Sequence, residues 1–206
     1  MLLWRNTTYQ QLLSYLSIIF LLLIPVTQSY ASELLADITS RLVKAPITQG
    51  TFQQEKQLKI LSRPLTSSGL FTYDQNKGVI WKTLAPVPSL LLVNESQLIS
   101  GQGEKNVPAA FGKVFKALLG GNLHELTEGF LMTGENKNNT WQLQLTPTDE
   151  FLQKIISTIT LSGDSELRTL ELQEVTGNFT RINFTQITHP NHLSTEQEAD
   201  FERLSP

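Results

Sequence analysis

The chain has 206 residues, 40% of them hydrophobic, a formal net charge of −3 and no cysteine. That length suits one domain with its own core. The missing cysteine excludes disulfides, thiolate metal sites, haem attachment and thiol nucleophiles, and the mild negative charge offers nucleic acid or an anionic membrane no basic patch.

The first segment reads as a bacterial export signal. Arg5 is its only charge, and Leu12–Ile24 runs LLSYLSIIFLLLI, of secretory length and too short to span a bilayer comfortably. Pro25 stops any helix, and Ser29-Tyr30-Ala31 sets small residues around a bulky one, as signal peptidase prefers. Cleavage is expected after Ala31. Residues 1–31 are then a cleaved secretory signal peptide, and residues 32–206 a single domain released into the periplasm. No lipobox cysteine follows, so the released chain is not expected to carry a lipid of its own.

From Ser32 the spacing predicts a helix, with Leu34, Leu35, Ile38 and Leu42 on one side, Ser32 as its N-cap and Pro46 beyond its end. Extended runs follow at 51–61 and 65–73. Phe52, Leu58 and Ile60 are expected on one face of the first, Phe71 and Tyr73 on one face of the second. Asp74–Gly78 is a turn. Runs at 79–84 and 90–93 continue a meander, then Leu98-Ile99, and Gly101-Gln-Gly103 reads as a turn.

The middle of the chain differs. Pro108 opens a segment whose Phe111, Val114, Phe115, Leu118 and Leu119 fall on one helical stripe, ended by Gly120-Gly121. Asn122 is expected to cap a short second helix, with Glu125 in capping-box position. Strands resume at 130–134 and 141–145, the latter alternating apolar residues with Gln. Pro147-Thr-Asp-Glu is expected to start a helical turn ending near Lys154. Three further runs, 155–161, 167–175 and 179–187, are separated by hairpin turns at Gly163-Asp164 and Gly177-Asn178. Ser194-Thr-Glu-Gln is expected to cap a C-terminal helix through Phe201 and Leu204. The pattern is one domain: a long antiparallel meander with helices at its start and middle.

Catalytic constellations do not assemble. His124, His189 and His192 lack the acidic partners of a metal site or a general base, and read as satisfied or solvated. No G-x-S-x-G elbow occurs, and the lone G-x-G has no strand-to-helix phosphate cradle behind it. Asp149 and Glu150 complement a helix start. No enzyme, metal or cofactor is expected.

The apolar residues leave two readings open. Phe52, Ile60, Phe71, Trp81, Leu90, Leu92, Trp141, Leu143 and Leu145 give a sheet with much to bury against little helix. A curved sheet with a helical plug would leave an apolar groove; otherwise these residues meet in an ordinary packed core. Pattern alone leans towards the packed core.

Several segments in order carry a resemblance. They are Gly50-Thr-Phe-Gln-Gln-Glu, Pro64-Leu-Thr-Ser-Ser-Gly69-Leu-Phe-Thr-Tyr73, Gly78-Val-Ile-Trp81-Lys-Thr-Leu-Ala-Pro86, Leu118-Leu-Gly-Gly-Asn-Leu123 with Phe130, and Trp141-Gln-Leu-Gln-Leu-Thr-Pro147. In that order and spacing, from about Ile38 to Thr188, the chain resembles a divergent branch of the LolA-like outer-membrane lipoprotein carriers. The resemblance implies an α+β fold, a strongly curved antiparallel sheet (an incomplete β-barrel) with helices covering its concave face. It implies a periplasmic carrier that shields the acyl chains of a lipoprotein or related acylated cargo. On that reading Phe111, Phe115, Leu118 and Leu119 belong to a lid, and Phe52, Phe71, Trp81, Leu90 and Leu92 line the sheet side of the groove. The implied partners are the acylated cargo, an inner-membrane donor complex and an outer-membrane acceptor, with the chain acting as a monomer. Two alternatives stand beside this one: a lipid-binding accessory protein of an envelope biosynthesis or export system, and a non-enzymatic protein-binding scaffold. The carriers hold their lid closed with an arginine near the turn before the Trp-containing strand. Here Lys77 is the nearest cation, which leaves the cargo open between a lipoprotein and another acylated product.

Overall fold

A computed structural model describes residues 27–94, 98–100, 103–105 and 116–203. Helix α1 (Thr27–Arg41) leads into β1 (Ile47–Gln57), β2 (Leu65–Asp74), β3 (Gly78–Ala85), β4 (Ser89–Val93), β5 (Leu98–Ser100) and β6 (Gly103–Lys105). After a helical stretch at 116–119 and a 3-10 helix, Leu123–Glu128, come β7 (Phe130–Lys137) and β8 (Thr140–Pro147). A 3-10 turn, Leu152–Lys154, precedes β9 (Ile156–Gly163), β10 (Leu167–Glu174) and β11 (Phe179–Thr188), and α2 (Thr195–Glu202) ends the described chain.

The strands form one antiparallel eleven-stranded sheet, ordered β6-β5-β4-β3-β2-β1-β11-β10-β9-β8-β7. Two sequential meanders therefore join where the first strand pairs with the last, Phe52 opposite Phe184. Edges β6 and β7 do not pair with each other, so the curved sheet stays open as an incomplete barrel. The fold is α+β, with helices covering the concave face.

Local chemistry sets the corners. Asp74 Oδ1 accepts from the backbone N–H groups of Asn76 (2.8 Å) and Lys77 (2.9 Å), which forms the β2–β3 turn. Asp149 Oδ1 accepts from Phe151 and Leu152 N–H (3.0 and 2.9 Å) and starts the 3-10 turn before β9. The β8 run alternates as expected, turning Trp141, Leu143 and Leu145 into the core and its Gln residues outwards.

The two faces of the sheet bury different things. The concave face holds the main core, which takes Leu35, Ile38 and Leu42 from α1 together with Phe52, Phe71, Trp81, Leu143, Leu161 and Phe184. The convex face carries a smaller cluster of Ile80, Leu92 and Phe201, with Leu90, Ile99 and Leu193 against it. Helix α2 covers that cluster. Ser194 and Gln197 form the capping box at its start, and Gln197 Nε2 donates to Gln49 Oε1 (3.0 Å) and Thr72 Oγ1 (2.8 Å). Lys77 and Lys82 bond Glu198 and Glu196 of the same helix.

Several expectations change. Helix α1 begins at Thr27, ahead of Ser32. Strand β1 begins at Ile47 and stops at Gln57, so Ile60 does not share a face with Phe52 but stands 89% exposed. Gly103, read as the end of a turn, opens strand β6 (Gly103–Lys105), which pairs with β5. Asn122 makes no side-chain cap; its amide donates to Glu125 Oε1, and the helix that follows is 3-10.

Candidate functional site

Three residues expected on the groove wall do come together. Phe52 on β1 stacks on Trp81 of β3 with ring centroids 3.9 Å apart, above Gly69 of the intervening strand. A Cβ at Gly69 would lie 2.9 Å from the Phe52 ring and 2.0 Å from the Lys82 carbonyl oxygen, so glycine is required for the close approach. Phe71 meets Phe184 edge to face at 5.3 Å, and Trp81 meets the same ring at 6.2 Å. Phe184 was not singled out from the sequence, although Ile182 and Phe184 share a face at strand spacing. Little space remains here: the cavity between Phe71, Phe184, Leu42, Leu118 and Leu119 measures about 20 Å³.

Leu90 and Leu92, expected on the same wall, lie on the opposite face. Three leucines in a row hide the period of β4: Leu91 packs into the main core, while Leu90 and Leu92 join the convex cluster under α2.

The covering segment is described from residue 116; Phe111 and Phe115 lie outside the described residues. Ala117, Leu118 and Leu119 are buried in the main core. The stretch ends as the Gly-Gly pair suggests. Asn122 N–H donates to Ala117 O (3.0 Å) across Gly121, whose φ of +68° suits glycine, in the manner of a Schellman closure. Tyr73 reaches this exit, its Oη lying 2.5 Å from where a Gly120 Cβ would be. Burial raises the Tyr73 phenol above its ordinary value, opposed by the charge of Lys116.

Beyond Leu118 the described residues leave space on the concave face. A cavity of about 350 Å³ lies between β1, β9, β10, β11 and the 3-10 turn, walled chiefly by Ile156, Ile159, Leu170, Leu172 and Ile182 with Leu118 above. Its volume falls in the range of small-molecule sites. Its polar lining is Gln54, which pairs with Ile182 in the wall, with Lys56, Glu174 and Thr180. Lys56 Nζ lies 3.0 Å from Glu174 Oε1, and Asn178 and Thr176 donate to the other carboxylate oxygen at 2.7 and 3.0 Å. The Asn178 hydrogen bond, with Lys56 and Thr176 beside it, holds the Glu174 carboxyl below its ordinary value against the opposing effect of burial. Such a space can hold an aliphatic chain and keep a polar end at the rim.

This wall was not named from the sequence. The runs at 155–161 and 167–175 were legible as strands, and Leu170 and Leu172 follow strand spacing. Ile156 and Ile159 do not. A register irregularity at Gln173/Glu174 opposite β9 brings both isoleucines to one face three residues apart. Of the histidines, His189 bridges Thr48 Oγ1 (3.2 Å) and Glu166 Oε1 (2.7 Å), linking β1 to the β9–β10 turn.

The family of LolA-like outer membrane lipoprotein carrier proteins matches residues 29–199. Three solved structures are similar in fold. A LolA superfamily protein from Nitrosomonas europaea has a TM-score of 0.45 and 9% identity over 79% of this chain and 94% of that one. A putative outer membrane lipoprotein-sorting protein domain from Vibrio parahaemolyticus has a TM-score of 0.45 and 11% identity over 85% and 97%. A DUF1329 family protein from Desulfovibrio piger has a TM-score of 0.49 and 11% identity over 86% and 98%. No curated protein matches.

Proposed function

We propose that this chain, which belongs to the family of LolA-like outer membrane lipoprotein carrier proteins, is a non-enzymatic periplasmic carrier that shields the acyl chain of a lipoprotein or related acylated cargo. The observation that carries the reading is the mainly aliphatic cavity of about 350 Å³ under Leu118, whose polar lining among the described residues is limited to Gln54, Lys56, Glu174 and Thr180. Each methylene moved from water into such a wall gains ~0.8 kcal/mol, so a chain of ordinary length is held without any hydrogen bond. The polar end of the cargo stays at the mouth, beside Lys56 and Glu174.

Leu118 lines both the open cavity and the small space beside Phe71 and Phe184. A shift of the 116–119 turn would connect the two, so cargo length can be met by displacing one short helical segment whose exit is a single Gly-Gly pair. Release needs the reverse movement, and a cover held by few groups suits it. The export signal at residues 1–31 would deliver the chain to the periplasm, where an inner-membrane donor loads it and an outer-membrane acceptor unloads it.

Native mass spectrometry of the protein purified gently from periplasm, with extraction of bound material, tests this reading. A near-stoichiometric acylated molecule is the expected result, and its polar group separates lipoprotein from lipid. An empty protein that also refuses fluorescent fatty-acid probes would overturn it in favour of a protein-binding scaffold.

A further inference from the structure

The exposed apolar side chains are concentrated at one end of the sheet. Antiparallel pairing brings the β1–β2 loop, the β10–β11 turn and the approach to β9 to that end, since Gln57 pairs with Phe179 and Glu174 with Ile156. There Ile60 is 89% exposed and Val175 56%, with Leu61, Phe151 and Ile155 also exposed. They form one lip. Lys59 N–H donates to Asn178 Oδ1 (3.1 Å), and Val175 N–H donates to Ile155 O (3.1 Å). The lip borders the cavity, whose wall includes Ile155 and whose mouth includes Lys56, Glu174 and Thr180.

The tip is built and not merely left over. Gln57 Nε2 donates to the carbonyls of Leu61 (2.7 Å) and Leu58 (3.1 Å), and Leu61 N–H donates to Leu58 O (2.9 Å). This braced turn points Ile60 away from the body, where an isoleucine contributes nothing to folding. Charge supplies the second observation. Residues 58–64 read LKILSRP, with Lys59 and Arg63 exposed and no acid among them, nor any in the 175–178 turn. Glu174 is occupied by Lys56, Asn178 and Thr176, and the acids Asp149 and Glu150 stand beside Phe151 on the approach to β9, not on the 58–64 loop that carries both cations. A chain of net charge −3 thus presents an apolar tip flanked by two cations at the mouth of its cavity.

We infer that this lip docks on an anionic lipid bilayer, with Ile60 and Val175 entering the interface and Lys59 and Arg63 meeting lipid phosphates. An apolar tip beside cations is the chemistry of interfacial anchoring, and an uncharged apolar protein surface would leave both cations without partners. Docking there sets the cavity mouth against the membrane, so an acyl chain crosses from bilayer to cavity with little exposure to water. That purpose rests on the carrier reading; the docking itself does not.

Flotation of the purified protein with phosphatidylglycerol–phosphatidylethanolamine vesicles tests it, beside neutral phosphatidylcholine vesicles. The protein should float with the anionic vesicles. Lys59→Gln and Arg63→Gln should each weaken binding about fivefold, and Ile60→Asp by at least about tenfold. No flotation of the wild-type protein, or flotation indifferent to all three changes, overturns the inference. Cargo delivery lost in Ile60→Asp cells while vesicle binding stays at the wild-type level also overturns it, and assigns the lip to a protein partner. Ile60 lies outside the cavity, so the same variant should still take a fluorescent fatty acid. Probe refusal by the wild-type protein, with vesicle binding intact, would fell the carrier reading and leave the docking standing.

Discussion

Between β1, β2, β3 and β11 the concave face is packed ring against ring, Phe52 on Trp81 and Phe71 on Phe184, and the space beside Phe71 and Phe184 under Leu118 is about 20 Å³. Between β1, β9, β10 and β11 the same face is walled mainly by isoleucine and leucine, with Phe130 as the one ring among the described lining residues, and leaves about 350 Å³. The strands are similar in length and belong to one sheet, so side-chain reach decides the difference. Flat rings extend across the curve and meet their neighbours, whereas aliphatic side chains of four carbons stop short. The aromatic end is the packed half of the face and the aliphatic end its open half, the one proposed to take cargo, with Leu118 at the boundary.

The largest effect should come from breaking the aromatic half. Phe52→Ala removes a ring buried to 1% and stacked on Trp81, and should cost about 3–5 kcal/mol in urea unfolding. Fatty-acid affinity of the protein that remains folded should change little. A loss under about 1 kcal/mol, or an equal loss of probe binding, would erase the division between the halves.

Filling the aliphatic half should do the opposite. Leu172 lines the cavity and is only partly buried, so Leu172→Trp places a ring in the void without displacing packed atoms. Fluorescent fatty-acid affinity should drop roughly tenfold, about 1.4 kcal/mol, while urea stability holds or rises by about 0.5–2 kcal/mol. Unchanged affinity would mean that the chain binds elsewhere.

At the boundary the expected effect is smaller. Gly121 sits at φ +68°, and Gly121→Ala should cost about 1–2 kcal/mol. The loss should appear as faster amide exchange at residues 116–119 than in β1 or β11. Uniform acceleration through the whole sheet would show that the covering turn does not open separately from the core.

The two halves were unequally legible. Phe52, Phe71 and Trp81 stood out because aromatic residues at alternating positions of separate runs have few fates other than one core. The antiparallel meander followed from short runs bounded by turn residues, its staying open was implied by the resemblance alone, and Asp74 and Ser194 act as their positions suggested. The half with the larger cavity was hidden for two reasons. Ile156 and Ile159 share a face only through an irregular register, which no period reveals. And burial alone does not tell a wall with a partner from a wall facing space. Leu90 and Leu92 were misplaced because LLL fits either face, and because the convex face has a cover of its own. Lys77, the nearest cation where the carriers have an arginine, bonds Glu198 of α2 on that face.

The smallest effect belongs to the cavity mouth, and its sign follows from the Glu174 carboxyl. That carboxyl is held below its ordinary value in the folded chain, so its contribution is fully present above the ordinary carboxylate range and is lost as pH falls through the depressed value. Lys56→Met removes one of the partners responsible and leaves the Asn178 and Thr176 hydrogen bonds in place. Stability near neutral pH should therefore fall by only about 0.2–1 kcal/mol, the range of a partly exposed pair. The acid-side decline should be shallower than in the wild-type protein, because less remains to be lost. The same methionine extends the aliphatic wall to the rim, so fatty-acid probes should bind at least as well as before. Weaker probe binding in Lys56→Met, with the wild-type affinity dependent on salt, would instead show that Lys56 meets the carboxylate of the probe, and the boundary between apolar wall and polar mouth would run between Lys56 and Glu174.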